Sequence, residues 1–167
     1  MAVYSVKLVD HRNSAGVETS AIATSIQRVM GLAFVGTSNS VKVSWGAGTQ
    51  GDNLVLHFVE DIAHSYLLQK FPNMKKPDRN AGGHTHTHGS LAGSELYRTR
   101  PAGRLHLHRY GALAFHEALH NLFPFRDDQH TAFGGGIASA TIPDIDPNDV
   151  NKAFLRQGFS VRNPQLL

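Results

Sequence analysis

His116, Glu117 and His120 read H-E-x-x-H, a spacing that can bring a metal ion and a base to one water molecule. Two histidines four apart lie one above the other on a helix face and can grip the same ion. The glutamate beside the first can then reach a water that the metal activates and act as general base. The chain contains no cysteine, which excludes disulfides, thiolate zinc sites and a cysteine nucleophile together.

A hydrolytic zinc site uses three protein ligands and keeps one position open. A downstream glutamate is excluded as the third, because Glu117 is the last glutamate of the chain. His130, Asp127 and Asp128 remain, with Asp144, Asp146 and Asp149 more remote. Imidazole is the commonest nitrogen ligand for zinc, and His130 lies beyond the helix stop at Pro124, where a loop can fold back. His130 is therefore preferred.

The positioning elements follow from hydrophobic period. Residues 2–9 are β-branched and partly alternating, as a strand requires. Residues 18–34 carry apolar side chains at 22, 26, 29, 30 and 33, a helical period, with Thr19 or Ser20 as N-cap. Strands are expected over 41–45 and 53–59, a short helix or irregular arm over 61–71, and a loop over 72–83. Strand character returns over 85–98, interrupted by Gly89 and Gly93, and again over 104–109. Residues 110–123 form the motif helix, whose neighbours Leu113, Ala114, Ala118, Leu119 and Leu122 imply burial. A glycine-containing loop over 125–143 leads to a last helix capped by Asp146, with Pro147 at its first position and Val150, Phe154 and Leu155 turned inward. The order predicts one α+β domain over 1–167, with a mixed, mostly parallel sheet, an active-site helix and a C-terminal helix.

In this layout the chain resembles the zincin metallopeptidases, and among them the metzincins and matrixins. Gly89, Ser90, Leu91, Ala92 and Gly93 resemble the edge strand that pairs with an extended substrate in that family. Residues 105–108 resemble the strand before the active-site helix, 116–120 the zinc-binding helix, and 146–154 the opening of the C-terminal helix. Phe123 and Arg126 stand where the metzincin pattern has its glycine and third ligand, and the last methionine is Met74, so the family's methionine turn is replaced, with residues 134–138 in its place. Either the third-ligand loop is rebuilt or the chain belongs to another zincin group. The resemblance implies Zn2+-dependent peptide hydrolysis. Glu117 would pass the water's proton to the leaving amine, and residues 89–92 would hold a peptide or protein substrate by backbone hydrogen bonds.

Eleven histidines are many for this length. His84, His86 and His88 share one face of an extended segment, and His106 and His108 share another. His86, His88, His106 and His108 could hold a second, structural ion, as matrixins do in a comparable region; the alternatives are a hydrated strand face or a loop over the active site.

The chain of 167 residues is mildly basic, with formal charge +3 and pI about 9.4, but it has no Lys/Arg run that suggests nucleic-acid binding. No apolar segment approaches a membrane span, and residues 1–10 lack a signal peptide's pattern, so a cytoplasmic or non-classically exported protein is expected. A zinc endopeptidase competes with two other readings: a metal-binding, catalytically inactive relative that binds a partner protein, and a zinc hydrolase acting on a non-peptide amide.

Overall fold

The computed structural model describes residues 1–13, 16–89, 91–126 and 128–161. Its centre is a five-stranded sheet of β1 (Val3–Asp10), β2 (Ser40–Trp45), β3 (Leu54–Val59), β4 (Gly83–His88) and β5 (Leu91–Tyr97). The spatial order is β2-β1-β3-β5-β4. The first four strands in this order run parallel, while β4 pairs antiparallel with β5 and forms one edge. Every residue of β3 is buried, as expected of a central strand covered on both faces.

Helices α1 (Thr19–Gly31) and α3 (Arg109–Leu122) cover one face. Ile22, Ile26, Val29 and Met30 of α1 join Val6, Leu8, Leu56, Phe58 and Leu96 of the sheet in the core. Helix α3 lies beneath β5 and β4 and buries twelve of its residues, His116 and Glu117 among them. The opposite face carries α2 (Tyr66–Lys70), whose Tyr66 stacks on His57 with ring centroids 4.0 Å apart. Among the described residues, the short α4 (Gln129–Ala132) and the longer α5 (Asp149–Val161) complete five α-helices. The architecture is α+β with a mostly parallel sheet, as the order of elements predicts. Among the described residues, no helix is long and apolar enough to cross a membrane.

Four local expectations are corrected. Residues 104–109 are not a strand in the sheet: Gly103–Arg104 pair only with Thr99–Arg100, in a two-residue ribbon. Beyond it the chain turns directly into α3 through residues 107–108, with Leu105 tucked into the core, so the apolar alternation serves a turn and not a strand. At the start of α1, neither Thr19 nor Ser20 is the cap. Glu18 takes that position in a left-handed conformation (φ 60°), and its carboxylate pairs with Arg104. Helix α5 is not capped by Asp146, which pairs with Arg28 at 3.0 Å. Asn148 caps it instead: its Oδ1 accepts from Asn151 N (2.9 Å), while Asn151 Oδ1 accepts from Asn148 N (3.0 Å). Val150 is 47% exposed, and the inward positions belong to Leu155 and Phe159, with Phe154 partly buried.

Candidate metal centre

Helix α3 turns His116 and His120 toward the same space, and α4 brings His130 to it. His120 Nε2 lies 3.0 Å from His116 Nε2 and 3.1 Å from His130 Nε2. Four ligands at zinc–nitrogen distance on a tetrahedron sit about 3.3 Å apart, so the spacing is close to that of a ligand set. Among the described residues, this is the one group of three or more histidines and carboxylates so gathered.

The tautomers of two of these histidines are set by their second nitrogens. His116 Nδ1 lies 2.7 Å from the carbonyl of Ile137, which can only accept, so Nδ1 carries the proton. His120 Nδ1 donates to Gln129 Oε1, and the same amide's Nε2 donates to Phe123 O at 2.8 Å, which fixes which way the amide faces. Both Nε2 atoms are thus bare acceptors aimed at each other, an arrangement that is unfavourable until a cation stands between them. Burial pushes His116 down to about 4, with the Ile137 carbonyl opposing and His130 adding to the shift. His120 is lowered as well, again chiefly by burial. Unprotonated imidazoles are what a divalent ion needs. The donor set fits zinc.

The loop under His116 is built by Gly134, Gly135 and Gly136, all at positive φ (89°, 64° and 56°). Buried Asn151 of α5 holds that turn through Nδ2, which donates to Phe133 O (2.6 Å) and Gly135 O (3.0 Å). Asn148 Nδ2 adds a bond to Gly134 O at 2.9 Å. The start of α5 therefore braces the turn that presents Ile137 O to His116.

Glu117 is 5% exposed and faces β4, where the Thr85 hydroxyl donates to its Oε2 at 2.6 Å. Burial raises the Glu117 carboxyl, against the opposing effects of His120 and Thr85. Thr85 Oγ1 lies 2.8 Å from Ser94 Oγ, which accepts from Asn121 Nδ2 at 3.0 Å. Each hydroxyl has one proton, so the chain runs Asn121 to Ser94 to Thr85 to Glu117. His116, Glu117, His120 and His130 line one cleft of about 840 Å³, between the start of β4 and residues 140–142.

The other sequence-derived residues lie elsewhere. Asp128 is exposed and makes a two-pronged pair with Arg126 (3.1 and 3.2 Å). Asp144 pairs with His108 at 2.9 Å, Asp146 with Arg28, and Asp149 with Lys152. Asp127 and Ser90 lie outside the described residues. The four histidines suggested for a second ion are not gathered together. His86 and His88 lean on Phe71 (4.8 and 5.2 Å between centroids), whereas His106 and His108 stack on each other at the head of α3. They separate because 104–109 is not a strand beside β4.

The segment expected to hold substrate is also displaced. Gly89 is in the β4–β5 turn (φ 63°), and Leu91 and Ala92 open β5, whose pairing with β4 places them inside the edge. The sheet edge is β4 itself. Tyr97 N donates to Gly82 O at 3.0 Å, and antiparallel alternation then turns the amides and carbonyls of Gly83, Thr85 and Thr87 outward. Sequence reasoning missed the roles of Gln129, Thr85 and the Asn148–Asn151 brace, although Thr85 is interleaved among histidines, Gln129 adjoins His130, and both asparagines fall within the recognised 146–154 stretch. Comparison with known protein families, curated proteins and solved structures finds no match for this chain.

Proposed function

We propose that the chain is a zinc-dependent peptidase of the zincin class, metzincin-like in layout, with His116, His120 and His130 as ligands and Glu117 as general base. The carrying observation is the convergence of three imidazole Nε2 atoms, two with their Nδ1 protons committed to Ile137 O and Gln129 Oε1. Bound zinc supplies Lewis acidity, which lowers the pKa of water and polarises a scissile carbonyl. Thr85 holds one oxygen of Glu117, and the carboxylate takes the attacking water's proton and delivers it to the leaving amine. An extended peptide lies along β4, meeting the outward amides and carbonyls of Gly83, Thr85 and Thr87 as an added strand.

The test uses metal analysis beside peptide hydrolysis. Purified protein is expected to hold one zinc per chain. Glu117→Ala is expected to keep it while losing hydrolysis by at least about a hundredfold. Zinc retained with no hydrolysis by the unmutated chain would favour the metal-binding, non-catalytic reading. Full hydrolysis by Glu117→Ala would sink the assignment of the base.

A further inference from the structure

We propose that Arg100 and Arg109 form a carboxylate-binding subsite that selects peptides carrying a carboxylate within about three residues of the bond cleaved. The inference rests on the peptidase reading above and supplies its substrate class.

Both arginines line the same cleft as the histidines and Glu117. Arg109 opens α3, and Leu113, His116 and His120 follow it four, seven and eleven residues later, so the four lie along one helix face. At the rise of an α-helix, Arg109 begins about 10 Å from His116. An extended peptide advances roughly 3.3 Å per residue, so about three residues span that distance. A carboxylate within about three residues of the scissile bond is therefore the one the arginines can meet.

Neither guanidinium is neutralised within the protein. Arg109 Nη2 donates to Ile142 O at 2.9 Å and Arg100 Nη1 to Asn80 O at 3.3 Å, both uncharged acceptors. The Nε atom of each is shut off from solvent and has no acceptor. Among the described residues, no carboxylate forms an ion pair with either, whereas Arg12, Arg28, Arg98, Arg104 and Arg126 each have one and Arg79 and Arg156 do not. Asp78 shares the cleft, but its Oδ1 accepts from Asn80 N at 2.8 Å. Two cationic forks that line one cleft without an anionic partner match a carboxylate, which can accept two hydrogen bonds from one guanidinium. Apolar neighbours such as Leu113 and Ile142 give the subsite a low-dielectric wall, which strengthens the pairing.

The carboxylate could be an acidic side chain or a free C-terminus, and binding separates them. Fluorescein-labelled hexa-alanine peptides, amidated at the C-terminus and bearing one Glu at each position in turn, are titrated into zinc-loaded Glu117→Ala protein. Their Gln counterparts and a hexa-alanine with a free C-terminus complete the set. At least one carboxylate peptide is expected to bind about tenfold or more tightly than its neutral partner. Arg109→Gln and Arg100→Gln should each erase that preference, and Arg109→Lys should restore part of it. Equal binding of charged and neutral peptides, or binding of none, would overturn the subsite. Because the readout is binding to a variant without its base, this failure is separate from a failure of unmutated protein to hydrolyse peptides.

Discussion

Gln129 and His120 are joined by a hydrogen bond from imidazole Nδ1 to the amide oxygen, and Gln129 immediately precedes His130. One turn of chain thus delivers a third nitrogen and locks the orientation of the second. Partners of this kind are commonly worth 10- to 100-fold in metal affinity. Gln129→Leu should therefore weaken zinc binding by about that factor in a chelator competition, while Gln129→Glu should retain an acceptor and most of the affinity. Unchanged zinc affinity in Gln129→Leu would show that the bond does not orient a ligand.

Thr85 bears on Glu117 rather than on the three imidazoles. The relay from Asn121 through Ser94 leaves the Thr85 proton for the carboxylate, so the anchor depends on a hydroxyl at 85. Thr85→Val keeps the shape and β-branching while removing the donor. It is expected to leave zinc content unaltered and to lower kcat about tenfold, with Thr85→Ser close to normal. Loss of zinc along with activity in Thr85→Val would place the residue's importance in the fold instead.

Much of this layout was legible in the sequence. The apolar periods of 18–34 and 110–123 predict α1 and α3 because one face of each is buried. Residues 41–45 alternate and 53–59 form a short, largely apolar run, and both appear as strands. The absence of a later glutamate narrowed the third position to His130 and several aspartates, and the preference of zinc for imidazole singled out His130. What was not legible depends on pairing. Residues 104–109 alternate like a strand yet find no place in the sheet, and Leu91–Ala92 look like an edge until β4 occupies it. The edge assignment turns on which neighbour each strand meets, a long-range fact that local period does not encode. Gln129 escaped for a related reason: a glutamine's role in holding a ligand is set by geometry and has no spacing rule.

The crossing of α1 and α3 sets where the motif helix lies, and it depends on Gly111. A Cβ there would stand 2.3 Å from Val29 Cγ2 and 2.6 Å from the backbone oxygen of Ser25. Alanine gains about 1 kcal/mol of helix propensity over glycine. The clash with backbone cannot be relieved by a rotamer change, however, and overpacking costs typically 1–3 kcal/mol or more. Gly111→Ala should therefore lower Tm by several degrees, whereas Gly31→Ala, whose nearest neighbour is Gln27 Nε2 at 3.9 Å, should be neutral or mildly stabilising. A Gly111→Ala protein as stable as the unmutated one would mean that the helices separate freely.

Acid stability should depend on Asp52, which is 6% exposed in the turn before β3. Burial by itself would raise its carboxyl. The Ser5 hydroxyl (2.5 Å), the Thr49 amide (2.9 Å) and the Thr49 hydroxyl (3.2 Å) outweigh it and hold the carboxyl below the ordinary 3.8. A folded pKa below the unfolded one means that the unfolded chain binds the proton first as pH falls. The contribution is then fully present above the unfolded value and is lost as pH drops through the folded one. Asp52→Asn removes the charge at every pH, so its stability deficit should be largest near neutrality and should shrink below about pH 4. Urea unfolding of both proteins between roughly pH 7 and pH 2.5 reads this directly. A deficit of constant size across that range would show that the carboxylate's charge contributes nothing, leaving only the shape of the side chain to account for the loss.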